Sequence, residues 1–144
     1  MNEINRHNSA INRFISAQKN YFEIACEELK QGKKESHWMW FIFPQIAGLG
    51  LSEISQFYAI RDIAEARKFI ADKTLGTNLV KICQILLTLN TNSAEKIFGD
   101  IDSIKLRSSM TLFAEISDDD VFQKVLDKFF QGKKDTKTLE LLHK

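Results

Sequence analysis

The sequence predicts an all-α fold: one domain over residues 1–144, built of roughly seven or eight helices and not a simple four-helix bundle. Three observations carry that expectation. One proline and six glycines are too few turn formers for a β sandwich. Apolar residues recur at three- and four-residue spacing along most of the chain, which places them on one face of a helix. Eleven phenylalanines, most of them within those stripes, supply the bulk for a single core. Residues 1–7 are expected to form a disordered N-terminal tail.

The first helix starts from a cap at Asn8 or Ser9, carries Ile11, Phe14, Ile15, Phe22, Ala25, Cys26 and Leu29 on one face, and stops at Gly32. The segment SHWMWFIFPQ, residues 36–45, follows with Ser36 as candidate cap. It is short and apolar on every side, so periodicity leaves helix and strand both open; Pro44 ends either one. Residues 46–50 read as a loop. A helix from Ser52 is expected to pack through Ile54, Phe57 and Tyr58.

Asp62 and Glu65 resemble a capping box for a helix carrying Ala66, Phe69 and Ile70. Leu75-Gly76-Thr77 reads as punctuation before the stripe Leu79, Ile82, Cys83, Leu86. Ser93 caps a short helix to Phe98-Gly99, and Asp102 or Ser103 caps the next, through Leu106, Met110, Leu112 and Phe113. Asp118 opens a helix carrying Val121, Phe122, Val125, Leu126, Phe129 and Phe130, and Asp135 or Thr136 opens the last. QGKKES at 31–36 recurs as QGKKDT at 131–136. Glycine suits a left-handed helix end, and lysines complement the negative end of the dipole, so the echo follows from local physics rather than a solenoid repeat.

Twenty basic against nineteen acidic residues give a formal charge of +1, no global field for nucleic acid or anionic lipid. Specific nucleic-acid binding is therefore not expected. No apolar run approaches the length of a membrane span, so no membrane partner is expected. Cys26 and Cys83 are far apart with no CxxC, which suits buried thiols in a cytoplasmic protein rather than a disulfide framework. His7, His37 and His143 are isolated from each other and from the cysteines, so neither a metal site nor a cofactor is expected.

Chemistry is concentrated in three stretches. Lys33, Lys34, Ser36 and His37 gather near a candidate helix start, where a phosphate or carboxylate would be favoured. Lys105 and Ser109 share a helix face, and Lys105 also reaches Ser108, a spacing that admits a Ser/Lys nucleophile pair; small-residue packing accounts for the serines equally. Trp38, Trp40, Phe41 and Phe43 read first as core, with Gln45 at the end of their segment as a polar contact. Asp135 stands at the second QGKK copy.

SHWMWFIFPQ, IAGLGLSEISQFYAI, LGTNL, IFGDIDSIKLRSSMTLF and FFQGKKDTKTLELL together resemble, in order and over nearly the whole chain, the uncharacterised bacterial domain-of-unknown-function 1810 family. The resemblance implies a compact, mainly helical fold and transfers no reaction. Some members carry an automated calpastatin label. Calpastatin inhibits through short segments of long disordered chains, whereas this apolar composition suits an autonomously folded domain, so protease inhibition is not expected.

The leading functional expectation is a small anionic or nucleotide-like ligand, with or without catalysis, held by Lys33, Lys34, Ser36, His37, Trp38, Gln45, Lys105, Ser108, Ser109 and Asp135. The alternative is a protein-interaction or self-association module using the Phe122, Phe129 and Phe130 face or the Asp118-Asp119-Asp120 turn, its partner unnamed by the sequence.

Overall fold

A computed structural model describes residues 3–144, with side chains from residue 10 onward. Eight helices follow one another among the described residues: α1 (Glu3–Lys30), α2 (Met39–Ile42), α3 (Glu53–Tyr58), α4 (Ile63–Ala71), α5 (Lys73–Thr88), α6 (Ala94–Ile116), α7 (Val121–Phe130) and α8 (Thr136–Leu142). The fold is all-α, and the one extended pairing among the described residues is an isolated parallel bridge between Ile46 and Ile60. The tail expected at residues 1–7 lies outside the described residues at positions 1 and 2, as do the side chains of His7, Asn8 and Ser9; the α1 backbone begins at Glu3.

Aromatic rings join the helices through the core. Phe14 of α1 meets Phe69 of α4 edge-on with centroids 5.1 Å apart. Phe69 meets Phe113 of α6 at 5.4 Å, and Phe113 meets Phe122 of α7 at 5.8 Å. All four are fully buried, each contributing about 1.5–3 kcal/mol over an exposed position. A second cluster, Trp38, Phe43 and Phe98, locks the α2 region onto the start of α6 at centroid distances of 6.0–6.3 Å. Phe122 and Phe129, expected as candidates for an interaction face, are buried in the core.

Local chemistry explains the helix ends. Gly32, at φ +79°, closes α1: Lys33 N donates to Glu28 O and Gly32 N to Leu29 O, the paired bonds of a Schellman end. Asp62 Oδ1 accepts from Glu65 N at 2.9 Å, while Glu65 Oε1 accepts from Arg61 N, so the capping box forms one residue wide of its usual partner. Asp135 caps α8 by accepting from Thr138 N and Oγ1.

Four local expectations are corrected. Leu75-Gly76-Thr77 lies inside α5, which is capped at Asp72; a Cβ at Gly76 would collide with the backbone oxygen of Ile70, so the glycine serves close packing and not a break. The break in α6 falls at Gly99 (φ 83°, ψ 172°), and neither Asp102 nor Ser103 caps the next segment; Ser103 Oγ donates to Asp100 O. Helix α7 begins at Val121, whose N–H is accepted by Asp119 Oδ1, rather than at Asp118. In α3, Ile54 and Phe57 are exposed instead of packed. That helix is short and tied down from outside: Arg13 of α1 donates to Phe57 O at 2.8 Å and Ala59 O at 2.9 Å while pairing with Glu65 at 2.8 Å.

Candidate functional site

The SHWMW and DSIK segments do meet, at a corner organised by Glu28. Its Oε1 accepts from Glu35 N, Ser36 N and the Trp38 indole N–H at 2.8–2.9 Å, and its Oε2 from Ser36 Oγ at 2.5 Å. Burial pushes the Glu28 carboxyl toward protonation, but the Ser36, Glu35 and Trp38 hydrogen bonds outweigh it and hold its pKa down at about 2. Ser36 is thereby spent on Glu28 and does not cap α2, whose cap position falls to Trp38. Trp38 is wholly buried.

Lys34 ties the corner to α6. Its Nζ donates to Ser36 O at 2.7 Å, pairs with Asp102 Oδ2 at 2.9 Å and stands over the Trp38 ring, 5.0 Å from its centroid. Lys105 Nζ approaches Asp102 Oδ1 at 3.6 Å and lies 5.4 Å over the half-buried Trp40 ring. Lys33 and His37 are exposed at the rim. The ionic and hydrogen-bonding groups of this corner are thus mostly committed to one another.

The other expected residues lie elsewhere. Gln45 accepts through its backbone oxygen from Ile60 N and, with Trp40 and Tyr58, borders a crevice of about 10 Å³, too small for a metabolite. Ser108 is buried with its Oγ donating to Ile104 O, and Ser109 Oγ is fully buried without a partner among the described residues. Asp135 belongs to the second QGKK loop, held against α6 by Thr111 Oγ1, which accepts from Asp135 N, and by Arg107, which donates to Lys133 O and Lys134 O. Burial pushes both thiols up, Cys83 with help from Asp119, so neither is poised as a thiolate nucleophile. Among the described residues no group of three or more His, Cys, Asp or Glu side chains could hold a metal ion, and no helix is long and apolar enough to cross a membrane.

A concave site appears where the sequence did not point. Between the α4–α5 corner, the outward face of α5 and the α6–α7 turn lies a cavity of about 660 Å³, within the range of roughly 300–1,000 Å³ typical of small-molecule sites. Its apolar side is Ile70 and Val80, with the fully buried Phe122 beneath; Thr77, Gln84 and Ser117 add hydrogen-bonding groups. Gly76 shapes one end, since the tight approach of α5 to Ile70 depends on its missing side chain.

The charged groups of this cavity differ in how committed they are. Asp72 Oδ2 accepts from Thr74 N and Leu75 N as the α5 cap. Lys81 leans over the Phe22 ring, 5.7 Å from its centroid. Lys73 is exposed at the first position of α5 and enters no ion pair or hydrogen bond through its ammonium among the described residues. A cation there opposes the helix dipole, so an anion beside it is favoured. Asp119 uses one oxygen for Val121 N and leaves the other open. The four-residue spacing of Lys73, Thr77 and Lys81 on one helix face was a readable signal; the reading of Gly76 as a break concealed it.

The chain matches, over residues 8–142, the family described as "Protein of unknown function (DUF1810)". It is similar to the crystal structure of the conserved hypothetical protein Rv1873 from Mycobacterium tuberculosis: 38% identity, a TM-score of 0.91, and coverage of 93% of this chain and 96% of that one. No curated protein matches.

Proposed function

The chain belongs to the DUF1810 family of proteins of unknown function, and from that premise we propose that it binds a small ligand bearing an anionic group in the cavity between α5 and the α6–α7 turn. The cavity itself carries this reading: about 660 Å³, one apolar side, and the uncommitted Lys73 at its rim. Such a volume admits a metabolite of nucleotide size. The Trp38–Lys34–Asp102–Lys105 corner supports binding less well, because its charges already satisfy one another.

A thermal-shift screen of metabolites on wild type, Lys73→Ala and Lys105→Ala tests this. A ligand held only by the folded state raises apparent stability by about 2.7 kcal/mol at a hundredfold excess over its Kd. The expected result is hits that disappear in Lys73→Ala and persist in Lys105→Ala. Hits lost only in Lys105→Ala would move the site to the corner, and a screen without hits would remove the reading.

A second reading rests on α3 and the loop before it, where Leu51, Ile54 and Phe57 are 89%, 40% and 58% exposed. Such a face favours self-association or a protein partner. Light scattering behind size exclusion decides it: a concentration-dependent dimer abolished by Phe57→Ser supports association, and a monomer at high concentration removes self-association.

A further inference from the structure

We infer that the cavity ligand is zwitterionic, an apolar body carrying an anionic group for Lys73 and a cationic group for Asp119; this rests on the proposed reading of the cavity as a binding site. Four charged side chains line it, Asp72, Lys73, Lys81 and Asp119, and their formal charges cancel. A purely anionic ligand would therefore meet as much repulsion as attraction unless some of these groups were already occupied. Two are partly engaged: Asp72 Oδ2 accepts the N–H groups of Thr74 and Leu75 at the positive end of α5, and the Lys81 ammonium leans over the Phe22 ring, 5.7 Å from its centroid.

Lys73 and Asp119 are the less engaged cation and anion of the four. Lys73 stands on the α5 wall without an ionic partner, and Asp119 stands on the α6–α7 turn with one carboxylate oxygen accepting from Val121 N at 2.9 Å and the other without a protein donor among the described residues. No salt bridge joins Lys73 to Asp119 across the cavity among the described residues. Val80, Phe122, Thr77 and Ser117 line the same cavity. A ligand with opposite charges at its two ends spans this arrangement. A dicarboxylate would face the Asp119 carboxylate, and a diamine would face the Lys73 ammonium, each at a Coulombic cost.

The test titrates the full chain with three homologous series of matched chain lengths: ω-amino carboxylates from β-alanine to ω-aminooctanoate, the corresponding dicarboxylates and the corresponding diamines. Binding is read from amide chemical shifts. The best amino carboxylate is expected to bind about tenfold or more tighter than any dicarboxylate or diamine, and to lose that advantage in Lys73→Ala and in Asp119→Asn. The asparagine variant keeps an acceptor for Val121 N, so its folding is preserved. Asp119→Lys is expected to turn the preference toward dicarboxylates, a reversal that a purely structural role for Asp119 would not produce. Dicarboxylates binding wild type as tightly as amino carboxylates, with Asp119→Asn neutral, would overturn the zwitterion and leave the anionic site standing. No binding by any member, together with an empty metabolite screen, would overturn both.

Discussion

The tryptophan–lysine corner and the α5–α7 cavity hold similar side chains, lysines and aspartates beside aromatic rings, yet they differ in how those groups are employed. At the corner Asp102 lies between Lys34 and Lys105, and Glu28 takes four hydrogen bonds from the loop it supports. At the cavity, among the described residues, Lys73 has no ionic partner and Asp119 keeps an oxygen in reserve. Residue type alone does not mark a site. A charged group already satisfied within the fold contributes to stability, and an unsatisfied one beside a concavity is available to a ligand. Corner substitutions should therefore reduce stability without touching ligand response, and substitutions of the cavity's charged groups, Lys73 and Asp119, the reverse.

The largest effect is expected at the corner's centre. Trp38→Ala empties a fully buried site among Phe43 and Phe98 and should cost about 4 kcal/mol in urea denaturation. Glu28→Ala leaves the Trp38 indole and two backbone N–H groups without their acceptor, a loss of about 2–3 kcal/mol. It also changes the acid limb. Because the folded pKa of Glu28 is lowered to about 2, its contribution is fully present above the unfolded value of about 4.3 and fades as pH falls through the folded one. Stability of wild type should drop more steeply than that of Glu28→Ala across this window, and parallel curves would deny Glu28 its role.

On the cavity side, Gly76→Ala forces a Cβ against the Ile70 backbone oxygen. The expected cost is about 2 kcal/mol despite the helix propensity gained, together with a distorted cavity. The smallest stability effects separate the two regions most sharply. Lys105→Ala should lose under about 1 kcal/mol and keep any ligand response, whereas Lys73→Ala should change stability by less than about 0.5 kcal/mol and abolish that response.

Much of the fold was legible in the sequence because it was encoded locally. The stripe of α7, the cap at Asp135, the stop at Gly32 and the interruption at Gly99 each depend on residues within a few positions of one another. Errors arose where tertiary context decided. Gly76 is a glycine because another helix's backbone passes over it, which looks in sequence like a break. Ser36 does not cap because Glu28, eight residues earlier, claims it. The same distance effect separates the two QGKK loops: the position of Glu28 in the first corresponds to Lys128 in the second, whose Nζ donates instead to Leu89 O, and there Asp135 caps the next helix itself. The cavity was the least legible feature. Lys73 and Asp119 are brought to its walls by the packing of α5 against α7, and no local pattern joins residues so far apart in the chain.

The most direct measurement follows two sets of nuclear magnetic resonance signals while the protein is titrated with the ω-amino carboxylate series. If the ligand occupies the cavity, the amides of Thr77, Val80, Ser117 and Phe122 move with saturation, and the indole N–H signals of Trp38 and Trp40 stay in place. Movement of the indole signals and of the Lys105 amide, with the cavity signals unchanged, would contradict it and return the site to the corner.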